Sequence, residues 1–152
     1  MIEIEYKTNS ATKKQVYKHL KECDSNFVPT LGSRIDLKTF SEKIINNATV
    51  FEAWYDNKLI GMVSAYFNDS ITGFINNVSV SQLYMGKGLA SHLLRQCINY
   101  GENNNFFEIN LEVSKKNITA LNLYRKFGFY TYKASKHFKY LKYKIITQKE
   151  GY

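Results

Sequence analysis

The sequence predicts an α/β fold: one mixed, mostly antiparallel central sheet with helices packed on both faces. Three observations carry that expectation. Residues 50–55, 59–67 and 73–80 are short runs rich in β-branched and aromatic side chains, separated by turn residues, the pattern of an antiparallel meander. Residues 89–100 then show an apolar stripe of helical period, and residues 106–113 return to two-residue alternation, which adds a single βαβ unit. A last helical stretch and two more strands close the chain, with no internal repeat, low-complexity tract or linker. At 152 residues the chain is ordinary for one domain, 1–152, able to bury about two-thirds of its unfolded surface without disulfides or metal.

Each element has a local reason. Residues 1–6 alternate like a strand and lack the basic-then-apolar order of a secretory leader. Asn9 or Ser10 is placed to cap a helix reaching about residue 22, with Val16 and Leu20 on its buried side. Residues 23–35 lack periodicity and hold the only proline, Pro29, beside Gly32 and Ser33. A loop of that length is more often functional than neutral. Asp36 caps a second helix to about residue 47, with Leu37, Phe40, Ile44 and Ile45 as its apolar stripe. Asp56, Asn57 and Lys58 join the first two meander strands as a hairpin, and residues 68–72 turn into the third.

In the helix over 89–100 the apolar face is Leu89, Leu93, Leu94, Cys97 and Ile98, and Gly101 is placed to end it. Phe107, Ile109, Leu111 and Val113 then alternate with Glu108, Asn110 and Glu112 along a strand half turned to the core. Asn117 caps the last helix, Gly128 ends it, and residues 130–134 and 138–146 pair as antiparallel strands.

The formal charge of +8 raises nucleic acid as a partner, because clustered lysine and arginine bind phosphate. The distribution argues against it. Lysines are scattered singly, denser only over 133–144, where they alternate with Phe138, Tyr140, Leu141 and Tyr143 as the solvated side of a strand does. No nucleic-acid partner is expected; the charge favours a polyanionic small cofactor. No apolar run approaches the roughly 18 residues of a membrane-spanning helix, so no membrane is expected either. Cys23 and Cys97 lack the spacing of a disulfide framework or a zinc site and fit a reducing, cytoplasmic setting. His19, His92 and His137 have no spacing that suggests a metal or a triad, and read as surface or packing residues.

The chemistry-bearing stretch begins where Val78-Ser79-Val80 feeds a turn containing Gly86 and Gly88, which opens a helix at Leu89. Such a turn presents free backbone N–H groups to an anion. Glycine is needed where a Cβ would block close approach, and Lys87 adds an exposed charge. A plain helix start has the same local pattern. The dinucleotide fingerprint G-x-G-x-x-G also follows a strand and opens a helix, but here Ser91 stands at its third position. Glu108, twenty residues after Gly88, lies at the start of its strand, where it cannot reach a ribose at the far end. The single βαβ unit after a meander is a further departure from that architecture.

The run Met85-Gly86-Lys87-Gly88-Leu89-Ala90, with Asn117-x-x-Ala120-x-x-x-Tyr124 and Gly128-Phe129 downstream, resembles the GNAT family of N-acetyltransferases over residues 50–129. The family's first motif is Gln or Arg, two residues, Gly, one residue, then Gly or Ala. Met85 departs at the first position, and Gln82 stands where proline is frequent. That departure removes a side chain, whereas the anion site is built mainly from backbone N–H groups.

The resemblance implies a GNAT-type fold and an acetyl-CoA-dependent enzyme, monomer or homodimer, with Met85, Gly86, Lys87, Gly88, Leu89, Ala90 and Ser91 as the pyrophosphate cradle. It places the backbone of Val78 and Val80 along the thioester arm, Asn117 near the cofactor and Ala120 beneath the pantetheine. It makes Tyr124 the general acid for the departing thiolate. A phenol of ordinary pKa near 10 is protonated at neutral pH and suits that task. Glu112 is the candidate base, in a Leu-Glu-Val context shared with family members that acetylate protein N-termini. A carboxylate of ordinary pKa near 4.3 is about 8 kcal/mol too weak to deprotonate an alkylammonium directly, so the base would work through water or on an amine of lowered pKa. An exposed strand glutamate is the alternative, since Glu108 shares the alternation.

The acceptor is expected near the loop bearing Asp24, Phe27 and Arg34 and near Trp54 and Asn76 on the sheet, although an isolated arginine is also a common surface residue. A small-molecule amine is favoured because the long loop is able to roof a pocket. A protein N-terminus or lysine, and a coenzyme A-binding module without catalysis, stand as the alternatives.

Overall fold

Turn chemistry and two-residue alternation assemble a seven-stranded sheet, in which helices cover the faces that the strands leave apolar. The computed structural model describes residues 3–24, 27, 30, 32 and 35–145. In chain order the elements are β1 (Glu5–Thr8), α1 (Lys13–Cys23), α2 (Leu37–Asn47), β2 (Thr49–Tyr55), β3 (Lys58–Tyr66), β4 (Thr72–Val80), a 3-10 turn (Gln82–Tyr84), α3 (Leu89–Asn103), β5 (Glu108–Ser114), α4 (Ile118–Phe127), β6 (Tyr130–Ala134) and β7 (Phe138–Lys144). The strand order is β1-β2-β3-β4-β5-β7-β6, with β4 and β5 parallel and the other neighbours antiparallel. The β2–β3 hairpin turns on Asp56 and Asn57, both with positive φ (50° and 61°), as a two-residue turn matched to strand twist requires.

One face buries Val16 and Leu20 of α1 and Ile44 of α2 against Val50, Trp54, Leu59 and Met62. The other buries Leu89, Leu93, Leu94 and Ile98 of α3 and Leu121 of α4 against Phe51, Ile60, Val63, Ile109 and Leu111. Each large apolar side chain so buried contributes about 1.5–3 kcal/mol. None of the described helices is long and apolar enough to cross a membrane.

Several local expectations are corrected. The first strand begins at Glu5 rather than at the N-terminus, and residues 1 and 2 lie outside the described residues, as does residue 146 at the other end. Neither Asn9 nor Ser10 caps α1. Thr12 does, in a capping box with Gln15, while Asn9 Oδ1 accepts from Val50 N and the Ser10 N–H donates to the buried carboxylate of Glu52. Gly101 does not end α3, which runs on to Asn103. It is buried, and a Cβ there would stand 3.0 Å from Ile145 Cδ1 and 3.2 Å from Ile109 Cδ1, so this glycine lets helix and sheet approach closely. Phe107 precedes β5 and is half exposed, and Phe106 takes the buried place instead.

Candidate active site

The site is built where the sheet divides. Strands β4 and β5 pair only from Thr72↔Glu108 to Ile75↔Leu111, and beyond those residues they separate. Past that point β4 follows β3, and β5 follows β7. The facing edges of 76–80 and 112–114 therefore lack each other as hydrogen-bond partners, and an extended ligand inserted between them would find strand-like backbone groups. The divergence coincides with a bulge: Ser64 pairs with Asn77 and Ala65 with Ile75, leaving Asn76 unmatched.

On the α3 and α4 side the gap opens into a cleft of about 670 Å³. Val78, Val80, Met85, Gly86, Gly88, Leu89, Ala90, Ser91 and Asn117 line it. Lys87 is exposed and does not. Gly86 and Gly88 have φ of +77° and +80°, and a Cβ at either would meet nothing within 4 Å. Their requirement is the left-handed backbone, and the space above them is open.

Among the four described α-helices, α1, α2 and α4 each carry a side-chain cap, from Thr12, Asp36 and Asn117. The N-cap of α3 is Gly88, which supplies none, and no acidic residue stands in its first turn. The N–H groups of Leu89, Ala90 and Ser91 thus face the cleft without a capping side chain, at the positive end of a fifteen-residue helix dipole. This is the arrangement a pyrophosphate needs, so the residues present fit a nucleotide-bearing cofactor.

Tyr124 sits on the buried side of α4, 7% exposed, with its ring against Phe129. It lines the cleft and also a second cavity of about 260 Å³. Burial pushes its phenol well above the ordinary value, so the proton stays on oxygen throughout the physiological range. Val78 and Asn117 line both cavities as well, and Asn117 also accepts from Ala120 N as the cap of α4. Glu112 lines the second cavity and is exposed. The two strand glutamates differ in surroundings: Glu108 pairs with Lys142 at 3.2 Å, whereas Glu112 makes no ion pair among the described residues.

The second cavity also holds Phe27 and Asn76, both anticipated, together with Phe74, Asn77, Ser114 and Phe138, which were not. Trp54 is not brought to either cavity. It is 5% exposed in the core beneath α1 and α2, and its indole N–H donates to Glu52 Oε1 at 3.0 Å. Arg34 lies outside the described residues. On the cleft side, Tyr84, Ile118, Thr119 and Leu123 are additions; the turn over 82–84 and the exposed face of α4 carry no motif to mark them. No cluster of metal-ligating side chains occurs among the described residues.

Comparison with known proteins agrees with this geometry. The chain resembles the PaiA N-acetyltransferase of Thermoplasma acidophilum, solved in complex with coenzyme A, at 15% identity and a TM-score of 0.76, over 95% of this chain and 100% of that one. It resembles a GNAT family acetyltransferase of Elizabethkingia anophelis with acetyl-CoA bound, at 18% identity and a TM-score of 0.73, over 93% and 98% of the two chains. The ribosomal-protein-S18-alanine N-acetyltransferase of Escherichia coli is similar at 18% identity and a TM-score of 0.75, over 93% and 94%. No curated protein sequence matches the chain. The sequence pattern of the acetyltransferase (GNAT) family matches residues 13–129, and with the divided sheet and the uncapped helix it places this chain in that family.

Proposed function

We propose that the protein is an acetyl-CoA-dependent N-acetyltransferase that moves an acetyl group to a primary amine of a small molecule, by direct attack of the amine on the thioester. The observation that carries this reading is the meeting of two cavities at Tyr124. Acetyl-CoA supplies the activated acyl group. The turn from Met85 to Ser91 holds the pyrophosphate, Lys87 adds a screened charge, Val78 and Val80 offer backbone groups to the arm, and Asn117 flanks it. Tyr124 delivers its proton to the departing sulfur. Glu112 relays the amine proton through water, a role its exposure supports.

The acceptor cavity, about 260 Å³, suits a small amine. A protein N-terminus is the second reading, favoured by the Leu111-Glu112-Val113 context and its spacing to Tyr124. Two free, buried thiols, Cys23 and Cys97, fit a cytoplasmic enzyme, which we take to be a monomer or homodimer.

Calorimetric titration with acetyl-CoA, with NADH as control, tests the cofactor half. Tyr124→Phe tests the chemistry: turnover is expected to fall about 10²- to 10⁴-fold at unchanged acetyl-CoA affinity. Unchanged turnover would remove Tyr124 as the acid, and binding without transfer to any amine would leave a non-catalytic coenzyme A-binding module.

A further inference from the structure

Two consecutive asparagines stand where β4 leaves β5, and a serine holds each of their amides. The bulge turns the side chains of both Asn76 and Asn77 towards the α1 and α2 face. Ser64 Oγ donates to Asn76 Oδ1. Ser79 Oγ donates to Asn77 Oδ1 at 2.8 Å and, with its single proton so placed, accepts from the His19 Nε2–H at 2.9 Å. Both amide oxygens are thus occupied, and each asparagine is left presenting an NH₂ group. Asn76 Nδ2 is enclosed without a partner among the described residues, a state that is costly until an acceptor oxygen reaches it. Asn76 and Asn77 line the cavity that also holds Glu112.

Donor groups cannot bind an ammonium, so the two amides must read another part of the acceptor. The part they match is an oxygen. Glu112, in the same cavity, disfavours a second carboxylate and favours a neutral oxygen beside a positively charged nitrogen. Resting on the transferase reading above, we infer that the acceptor is an α-amino carbonyl compound, its oxygen held by the amides of Asn76 and Asn77 and its nitrogen turned to Glu112. A small amino-acid amide and the N-terminus of a peptide share that unit.

The experiment compares glycinamide with ethylamine as acceptors for the full chain with acetyl-CoA, in the wild type and in Asn77→Leu. The basicities of the two amines cancel when the wild-type ratio of kcat/KM is divided by the variant's ratio. That quotient is expected to be about tenfold or more, since a site built to bond a polar group rejects the analogue lacking it. Asn77→Asp, of the same shape but without the donor, is expected to lose the same preference. A quotient near one with both amines acetylated overturns the inference and leaves the transferase standing. No transfer to glycinamide, ethylamine or triglycine, with acetyl-CoA bound, overturns both. A triglycine arm names the source: faster than glycinamide, it identifies a peptide N-terminus; slower, a small amide.

Discussion

Lowering the pH from 7 to 5 is expected to cost the folded chain about 2 kcal/mol through His19 alone. The ring is 1% exposed, held between α1 and the sheet with Cys23 Sγ 3.8 Å from Nδ1. Burial pushes its pKa from the ordinary 6.5 down to about 4. Glu22 and Lys58, paired with each other at 3.0 Å nearby, pull it in opposite directions. Above pH 6.5 both folded and unfolded chains hold the imidazole neutral. Below it the unfolded chain takes up a proton that the folded chain refuses, so stability falls as the pH drops towards 4. The ratio of the two protonation equilibria gives about 2 kcal/mol at pH 5 and about 3 kcal/mol at pH 4.

Urea unfolding of the wild type and of His19→Gln, at pH 7, 6 and 5, isolates this contribution. Asp36, Glu42 and Asp69, whose carboxyls are held low by hydrogen bonds, weaken both proteins alike in acid and cancel in the difference. The wild type is expected to lose about 2 kcal/mol more than the variant between pH 7 and 5. Parallel stability curves over that interval would refute the reasoning and mean that the ring protonates in place.

Two further substitutions probe the cradle and the frame. Gly88→Ala places a side chain at φ +80° with nothing within 4 Å, so the stability cost is expected to be only the left-handed strain, about 1–2 kcal/mol. Acetyl-CoA affinity by calorimetry should fall about tenfold or more, as the added Cβ enters the open space through which the phosphates approach the helix N-terminus; unchanged affinity would place the phosphates elsewhere. Glu52→Ala strands the N–H groups of Ser10, Ala11 and Trp54, which now donate to a carboxylate with no exposed surface. A loss of roughly 2–4 kcal/mol in denaturant unfolding is expected, and a loss below about 0.5 kcal/mol, the range of an ordinary surface change, would contradict it.

Much of the fold was legible because its signals are local. Alternation marked the meander, Asp56 and Asn57 its hairpin, Asp36 and Asn117 two helix starts, and Gly128 an end. Gly86 and Gly88 announced a turn that opens a helix, although their left-handed backbone was not anticipated, and the spacing from Asn117 to Tyr124 set both on one side of α4. Where the sequence misled, distant partners decided. Asn9 and Ser10 are as good a cap as Thr12 by residue type, but the Glu52 carboxylate, 42 residues on from Ser10, claims the Ser10 N–H and the α1 start moves with it. The same carboxylate takes the indole of Trp54 and keeps it in the core. Gly101 reads as a helix end by local rule, yet the approach of Ile109 and Ile145 makes it a packing position. Residue types and their spacing by themselves determined the elements and their order, and carried the family resemblance that implies roles for Tyr124, Glu112 and the glycine turn. Only the tertiary structure decided that β4 and β5 part after Ile75 and Leu111, that His19 is buried against Ser79, and that two cavities meet at one tyrosine. Backbone propensity acts over a few neighbouring residues, whereas a gap in a sheet is set by which distant strands outcompete each other for the same backbone hydrogen bonds.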